Sequence, residues 1–140
     1  MNIMIKTKSG ETLLYEEESY ILRGICFKVY NELGPGHKES VYINALRQEF
    51  KLNNIPYENE KIITIKRNGE VIGNYRLDFL LGDKIILEVK AQEFVPRVQI
   101  QKLQSYLAGS KYKLGFLVNF GGERLVIIRK IHDKTKKLSV

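Results

Sequence analysis

Asp78 and the triplet Glu88-Val89-Lys90 are the residues of this 140-residue chain whose types and spacing favour chemistry. The segment KIILEVKA, residues 84–91, is rich in β-branched and aliphatic residues, which predicts a strand in the centre of a sheet. Side chains alternate between the two faces of a strand, so Glu88 and Lys90 point the same way. Removing water from an unpaired charge is costly, and central strands normally avoid charged side chains. The two charges therefore need a specific explanation.

Whether Asp78 meets Glu88 depends on the turn between their strands. A three-residue loop at residues 82–84 would place Asp78 directly opposite Glu88, and it would also place Arg76 opposite Lys90. A two-residue loop would put the two acids on opposite faces of the sheet. A site that uses both acids thus requires an odd-length loop or a bulge, and three-residue loops with a glycine are common.

Two carboxylates that face each other repel, so without a cation one of them is driven to hold a proton. A hard cation such as Mg²⁺ or Mn²⁺ removes this conflict by accepting carboxylate oxygens, a backbone carbonyl and waters. Lys90 would then lie one residue pair from the ion, where it can orient or deprotonate a water and neutralise charge on a phosphorane-like transition state. The alternative is a structural salt-bridge ladder of the two acids with Lys90 and Arg76. The residues alone do not separate these two interpretations.

Hydrophobic periodicity and turn residues predict the elements that position these side chains. Helices are predicted over residues 17–33, 38–52 and 97–108, and strands over 61–66, 71–81, 84–91, 114–120 and 125–131. A short hairpin of Ile3–Lys6 and Glu11–Leu14, turning at Lys8-Ser9-Gly10, is predicted before them. The order predicts an α/β fold, with a mixed central sheet flanked by helices and a parallel crossover permitted around the third helix.

Helical spacing assigns the apolar positions of the first two helices to the core. In the first helix these are Ile21, Ile25, Val29 and Leu33, flanked by Leu22 and Cys26. In the second they are Val41, Tyr42, Ala45, Leu46 and Phe50. Cys26 is therefore interpreted as a small core residue and not as a nucleophile.

The length fits one domain over residues 1–140, with residues 1–14 as an extra hairpin and 132–140 as a basic tail. The net charge of +7 and pI of about 9.4 favour a polyanionic partner such as nucleic acid, although a well-solvated basic surface has the same composition. No apolar run reaches the roughly 18 residues of a membrane span, and no secretory signal is recognised. We therefore expect a cytoplasmic protein without a membrane partner.

The spacing of Asp78 and Glu88-x-Lys90 resembles the signature of the PD-(D/E)XK nuclease superfamily. The segment from Leu33 to Tyr42, LGPGHKESVY, is similar to the LGPG-x-x-ES-x-Y motif of the GxxExxY family in that superfamily. Further matches are Ala45-Leu46, Tyr75-Arg76-x-Asp78-Phe79, Glu88-Val89-Lys90-Ala91, Tyr106-Leu107 and the run GFLVNFG at residues 115–121. The resemblance covers about residues 17–130 and implies a restriction-endonuclease-like core.

The resemblance also implies roles for the residues of the site. Asp78, Glu88 and Lys90 match the catalytic positions, and Glu39 would join both acids and the Val89 carbonyl around Mg²⁺ or Mn²⁺. Glu39 has an alternative role in complementing the N-terminus of its helix. Tyr42 would either contact a phosphate or be a buried tyrosine with a satisfied hydroxyl.

The helix after Glu-x-Lys departs from the pattern of related nucleases at one position. They commonly carry a glutamine four residues before a Tyr-Leu pair, and here that residue is Lys102. Either Gln101 takes this supporting role or the group is absent. Arg76, Arg97 and Lys102 would suit phosphate contact. His37 and His132 have no partner at metal-ligand spacing.

The leading hypothesis is a Mg²⁺- or Mn²⁺-dependent nuclease that hydrolyses phosphodiester bonds of DNA, with structured or branched DNA as a narrower option. A homodimer is expected if both strands of a duplex are cut in one encounter. The alternatives are a non-catalytic nucleic-acid-binding module, or an accessory subunit or regulator that contacts protein and keeps the nuclease fold.

Overall fold

The computed structural model describes residues 5–6, 12–13 and 15–132 of the chain. Its elements in chain order are β1 (Ile5–Lys6), β2 (Thr12–Leu13), α1 (Glu16–Leu33), α2 (Glu39–Leu52), β3 (Tyr57–Arg67), β4 (Glu70–Leu81), β5 (Ile85–Lys90), α3 (Arg97–Ala108), β6 (Leu114–Asn119) and β7 (Val126–Ile131). The short strands β1 and β2 pair antiparallel, as predicted for the N-terminal hairpin. Its turn at residues 8–10 and the basic tail beyond His132 lie outside the described residues.

The central sheet has five strands in the order β3-β4-β5-β6-β7. β5 and β6 pair parallel through the α3 crossover, whereas the other neighbouring strands pair antiparallel. β5 is the middle strand, and its residues are buried from Ile85 to Val89. The predicted mixed sheet, the parallel crossover and the central position of KIILEVKA are therefore confirmed.

The turn between β4 and β5 has the three-residue form that the sequence favoured. Leu81 pairs with Ile85, and the ladder continues through Leu80–Ile86 to Phe79–Leu87. Gly82 and Asp83 turn the chain with φ values of 57° and 54°, which lie in the left-handed region. This turn sets the register that brings the Asp78 and Glu88 strands together.

The β4–β5 pairing stops at Phe79, and β4 then leaves the centre of the sheet. Arg76 consequently pairs only with Ile62 of β3, so the predicted opposition of Arg76 and Lys90 is wrong. Beyond Asp78, β3 and β4 continue as a two-stranded antiparallel ribbon that ends at the Asn68-Gly69 turn. β3 begins at Tyr57, four residues before its predicted start, because polar residues alternate with half-buried ones there.

Asp78 marks a change of face in β4. Strict alternation would put Leu77 and Phe79 on one face, but Leu77 packs in the α3-side core and Phe79 in the core beneath α1 and α2. On the neighbouring strand, Glu60 adopts a φ of 59° at the same level, between the pairs Asn59–Phe79 and Lys61–Leu77. The regular alternation predicted for this strand is therefore interrupted where the acid lies.

Helices α1 and α2 bury most of their predicted core positions, with two exceptions. Ile21 is 40% exposed and Val41 is 37% exposed, so neither is a core residue. The buried sides of the two helices are centred on Leu22, Ile25, Cys26 and Val29 in α1 and on Tyr42, Leu46 and Phe50 in α2. Both helices thus keep most of the predicted stripe and leave one predicted apolar residue each at the surface.

Cys26 is completely buried, which confirms its prediction as a core residue. Burial raises the pKa of its thiol to about 12, so the reactive thiolate is disfavoured. Among the described residues, no helix combines the length and the apolar character that crossing a membrane requires.

Candidate active site

Asp78 and Glu88 are held together by two crossed hydrogen bonds between their strands. The Val89 backbone N–H donates to Asp78 Oδ2 at 2.8 Å, and the Asp78 backbone N–H donates to Glu88 Oε1 at 3.3 Å. These side-chain bonds begin where the regular β4–β5 ladder ends at Phe79. Each carboxylate thus replaces a backbone carbonyl of the ladder, which fixes the two acids beside each other.

Burial of this acid pair opposes the ionised form of both groups. Glu88 is 7% exposed, and burial together with the charge of Asp78 raises its pKa to about 8. Burial also raises the pKa of Asp78, although the Val89 N–H and the Lys90 charge act in the other direction. The conflict between opposed carboxylates that the sequence predicted is therefore present in the fold.

Glu39 and Lys90 complete a charged cluster at this end of β5. The Lys90 ammonium lies 3.8 Å from Glu39 Oε1, with side-chain exposures of 20% and 44%. Burial raises the pKa of Glu39, Lys90 lowers it, and the charge of Asp78 raises it again. The first residue of α2 therefore lies within electrostatic reach of the acid pair, with Lys90 beside it.

The donor set fits a hard divalent cation. Within residues 15–132 no three His, Cys, Asp or Glu side chains converge into a ready-made metal cage. Mg²⁺ does not need one, because it keeps several waters and is usually held by one or two carboxylates. Glu88 supplies a buried carboxyl group and Asp78 a half-buried one, and neither forms an ion pair with a side chain of residues 15–132.

Tyr42 adopts the second of its two predicted arrangements, that of a buried tyrosine whose hydroxyl is satisfied by the protein. It is fully buried, and its hydroxyl donates to the Gly34 carbonyl at 2.6 Å and accepts from the His37 N–H at 3.2 Å. Its ring stacks on Phe120 with centroids 4.6 Å apart. The hydroxyl therefore fixes the glycine-rich turn that leads into Glu39, and both of its bonding directions face the protein.

The predicted supporting residues lie on two exposed surfaces near the acid pair. Arg76 is exposed on the β3–β4 ribbon, two residues from Asp78. Gln101 and Lys102 are exposed on α3, where they line an open cavity of about 380 Å³ with Tyr75 and Tyr106. Neither Gln101 nor Lys102 has a described hydrogen bond to Glu88 or Lys90, so their supporting role stays a prediction.

Sequence reasoning assigned no role to Tyr106, which the fold places near both acids. Its pKa is raised by burial and by the charges of Glu88, Tyr75 and Asp78. Its ring packs against Tyr75 with centroids 4.4 Å apart. The Tyr106-Leu107 pair was available as a motif, but the contact joins α3 to β4 and depends on the tertiary fold.

A side-chain amide also supports the site from the neighbouring strand. Asn119 is 1% exposed; its Oδ1 accepts from the Gln92 N–H at 2.9 Å, and its Nδ2 donates to the Gln92 carbonyl at 2.8 Å. Gly121 packs against the same segment, since an added Cβ would lie 2.5 Å from the Ala91 carbonyl carbon. β6 therefore holds the chain directly after Lys90.

This arrangement is that of a nuclease core: a mixed five-stranded sheet between helices, with an acid pair and a lysine where two central strands diverge. The family model of the PD-(D/E)XK nuclease superfamily matches residues 16–131. The chain belongs to this superfamily. No curated protein shows a significant match to the chain.

A solved structure resembles the fold of this chain. The crystal structure of SSO0001 matches with a TM-score of 0.52 and 23% identity, over 66% of this chain and 48% of that one. The present chain thus spans about half the length of that protein, and the likeness concerns the fold alone. An alkaline exonuclease, LHK-Exo from Laribacter hongkongensis, matches with a TM-score of 0.42 and 13% identity, over 94% of this chain and 74% of that one.

Proposed function

We propose that the protein is a Mg²⁺- or Mn²⁺-dependent phosphodiesterase that cleaves DNA. The crossed pairing of Asp78 and Glu88 at the end of the β4–β5 ladder carries this proposal. An enclosed acid pair destabilises the ionised apo protein, and such perturbed groups are concentrated at functional sites. Membership of a nuclease superfamily supports a phosphodiester substrate.

In this proposal Asp78, Glu88 and the Val89 carbonyl would hold the cation, and Glu39 would join them directly or through a water. When bound, the cation supplies Lewis acidity to a phosphoryl oxygen and lowers the pKa of a coordinated water. Asp78 and Glu88 are already oriented by backbone N–H groups, so they require little rearrangement to present their remaining oxygens. This preorganisation lowers the entropic cost of binding.

Lys90 acts on the reacting phosphate. Its side chain is 20% exposed, and its ammonium lies 3.8 Å from Glu39, which restrains it near the acid pair. From there it donates hydrogen bonds to non-bridging oxygens as negative charge accumulates during attack by water. Glu39 acts as a positioning residue for Lys90 and adds negative charge that favours the cation.

Cleavage of a labelled DNA duplex and single strand with Mg²⁺, Mn²⁺ or chelator tests the proposal. We expect metal-dependent products from the native chain and none above background from Asp78→Asn, which keeps the side-chain shape but removes the charge. Glu32→Gln, on the exposed part of α1, is the matched control and should retain activity. Equal cleavage by both variants would contradict the assignment of the acid pair.

We further propose that the chain represents the GxxExxY group within the superfamily. In support, Gly36 has a φ of 104°, a conformation that favours glycine, and the Tyr42 hydroxyl fastens the same turn. The turn then delivers Glu39 to Lys90. The motif thus positions the Glu39 carboxylate. Replacing Gly36 by alanine should lower the rate of metal-dependent cleavage by a larger factor than it lowers the equilibrium constant for folding.

A non-catalytic nucleic-acid-binding protein is the second candidate. Lys102 favours it, because related nucleases carry glutamine there and this chain adds a cation to an already basic surface. Salt-sensitive DNA binding without any metal-dependent cleavage would establish this alternative. An accessory subunit that contacts protein would show neither property.

We also propose that residues 1–140 form one folding domain, that the protein acts in the cytoplasm, and that a homodimer forms if both strands of a duplex are cut together. Superposable unfolding transitions by fluorescence and circular dichroism test the first of these proposals. Sedimentation with and without duplex DNA tests the last.

A further inference from the structure

The β3–β4 ribbon, which extends these two strands beyond Asp78, presents one uncovered face. Cross-strand partners share a face, so the pairs Ile62–Arg76 and Thr64–Asn74 lie together on it. The opposite face packs against α3 through Ile63, which is 7% exposed, and through half-buried Ile65 and Tyr75. We define the open ribbon face as Ile62, Thr64, Asn74 and Arg76, together with Lys66, its partner Val71 and Ile72 at the register shift that follows Ile65.

This face is apolar and basic at once. Ile62 is 55% exposed and Ile72 is 62% exposed, although aliphatic side chains on a sheet normally find a cover. Lys66 and Arg76 on the face, and Arg67 at the tip, form no ion pair with any side chain of residues 15–132. The uncovered surface therefore combines unpaired positive charge with three exposed apolar side chains, those of Ile62, Val71 and Ile72.

We propose that the open ribbon face binds duplex DNA by entering its major groove and leads the duplex to Asp78 and Glu88. This inference rests on the proposed nuclease function and names its substrate class. The major groove is about 12 Å wide and accepts a two-stranded β-ribbon. Lys66, Arg67 and Arg76 contact phosphates at the groove walls, while Ile62 and Ile72 contact apolar base edges such as thymine methyl groups.

Charge argues against a second copy of the chain as the occupant. In a two-fold dimer the same patch meets itself, so Lys66 and Arg76 would face the same cations of the other copy. The segment from Lys61 to Arg76 carries four basic side chains and one acidic side chain. Such a surface complements the phosphates of a polyanion and repels its own copy.

The position of Arg76 connects binding to cleavage. Two residues along a strand span roughly 7 Å, which separates the Arg76 and Asp78 backbones by about one nucleotide step of an extended strand. The ribbon from Leu77 to its tip at Glu70 has a length of about 25 Å at the usual rise per residue. A duplex held along it would be fixed in register relative to the acid pair.

Fluorescence anisotropy of a labelled DNA duplex of about 20 base pairs, roughly two helical turns, measures binding to the full chain. Ca²⁺ or a chelator replaces Mg²⁺ in this assay, so that binding is measured without cleavage. The double variant Lys66→Glu/Arg67→Glu should weaken binding about tenfold or more and reduce the salt slope by about two, because each lysine or arginine contact contributes about one. Lys113→Glu is the matched control; it is exposed beside Leu114, which pairs with the Ile85 end of β5. We expect it to change binding little.

The apolar contacts have a second matched control. Ile62→Ser/Ile72→Ser should weaken duplex binding several-fold without changing the salt slope, since no charge is lost. Ile131→Ser should not, although Ile131 is 54% exposed on the other edge strand. A duplex RNA of the same sequence should bind more weakly, because its major groove is too narrow for side chains to read.

Unchanged duplex affinity of the charge-reversed ribbon would overturn the proposal, and so would equal binding of DNA and RNA duplexes. If the ribbon variants lost dimerisation but still bound DNA, the result would show that a second copy of the chain covers the face. Duplex binding through the ribbon without cleavage would refute the nuclease and leave the ribbon assignment intact. Cleavage that is unchanged in the ribbon variants would refute the ribbon assignment and leave the nuclease proposal intact.

Discussion

The inner and outer halves of β4 have opposite environments. From Phe79 to Leu81 the strand pairs on both sides, with β3 and with β5, and all three residues are buried. From Glu70 to Arg76 it pairs with β3 alone, and most side chains are exposed or half-buried. Asp78 lies near the junction, where the strand has left β5 and has also changed the face on which its apolar residues pack.

The difference shows how a charged site fits into a central sheet without an opening in the core. Where the ladder with β5 ends, backbone N–H groups become available to the carboxylates of Asp78 and Glu88. The inner half of β4 fixes the position of the acids, and the outer half leaves their approach open. Substitutions in the inner half of β4 should therefore affect mainly stability, and substitutions in the outer half should affect mainly function.

The largest effect is expected from truncation of the inner half. Phe79→Ala should lower the free energy of unfolding by about 3–5 kcal/mol, because Phe79 is fully buried and contacts the rings of Phe50 and Tyr57. Ile72→Ala in the outer half should change it by about 0.5 kcal/mol or less. Urea denaturation monitored by circular dichroism measures both, and similar losses would contradict the division of the strand.

The cleavage rate at the junction should fall when the Lys90 ammonium is removed, even though the fold is kept. Lys90→Met keeps the apolar stem and should reduce the cleavage rate about 100- to 1,000-fold, the usual cost of removing a donor to developing charge. Lys113→Met, an exposed lysine before the adjacent strand β6, is the control. If the two variants cleave at the same rate, Lys90 has only a structural role.

The acid pair gives the metal-free protein a characteristic pH dependence. The folded pKa of Glu88, about 8, exceeds its ordinary value of 4.5, so between these values the folded state binds more protons than the unfolded state. The free energy of unfolding in chelator should therefore decrease as the pH rises through this window. Glu88→Gln should flatten the dependence, and a profile that rises with pH would show that the acids are paired differently.

The smallest effect is expected in the turn before Glu39. Tyr42→Phe removes the bonds to the Gly34 carbonyl and the His37 N–H and should destabilise the fold by about 1–2 kcal/mol. Tyr20→Phe, at a residue that is 78% exposed, should have no measurable effect. Thermal unfolding of both variants gives the comparison, and unchanged stability of Tyr42→Phe would argue against the turn as a fixed device.

Local signals in the sequence were sufficient for most elements and for the register of the acids. Pro96 and regular apolar spacing fixed α3 at the predicted bounds, and the glycine-containing loop after Leu81 fixed the β4–β5 register. Period-two reasoning failed at Asp78, because a strand that exchanges neighbours does not keep one face. Helical spacing failed for Ile21, whose apolar type did not show which side of α1 meets α2.

Features that depend on contacts between distant segments were beyond local patterns. Tyr106 of α3 packs against Tyr75 of β4 with ring centroids 4.4 Å apart, and the buried Glu49 pairs with Lys28 of α1 at 2.9 Å. Neither contact has a periodicity, since each joins residues whose separation the fold alone determines. Catalytic roles followed from chemistry and resemblance, and they stay predictions until the variants are measured.

Asn119 and Gly121 should be sensitive to substitution in a loss-of-function screen. Both act on the Ala91–Gln92 backbone just after Lys90, and neither belongs to the acid pair. A random mutagenesis screen for loss of function should therefore recover substitutions at these two codons beside those at Asp78 and Lys90. A reader of that screen would otherwise assign the second group of mutations to a separate activity.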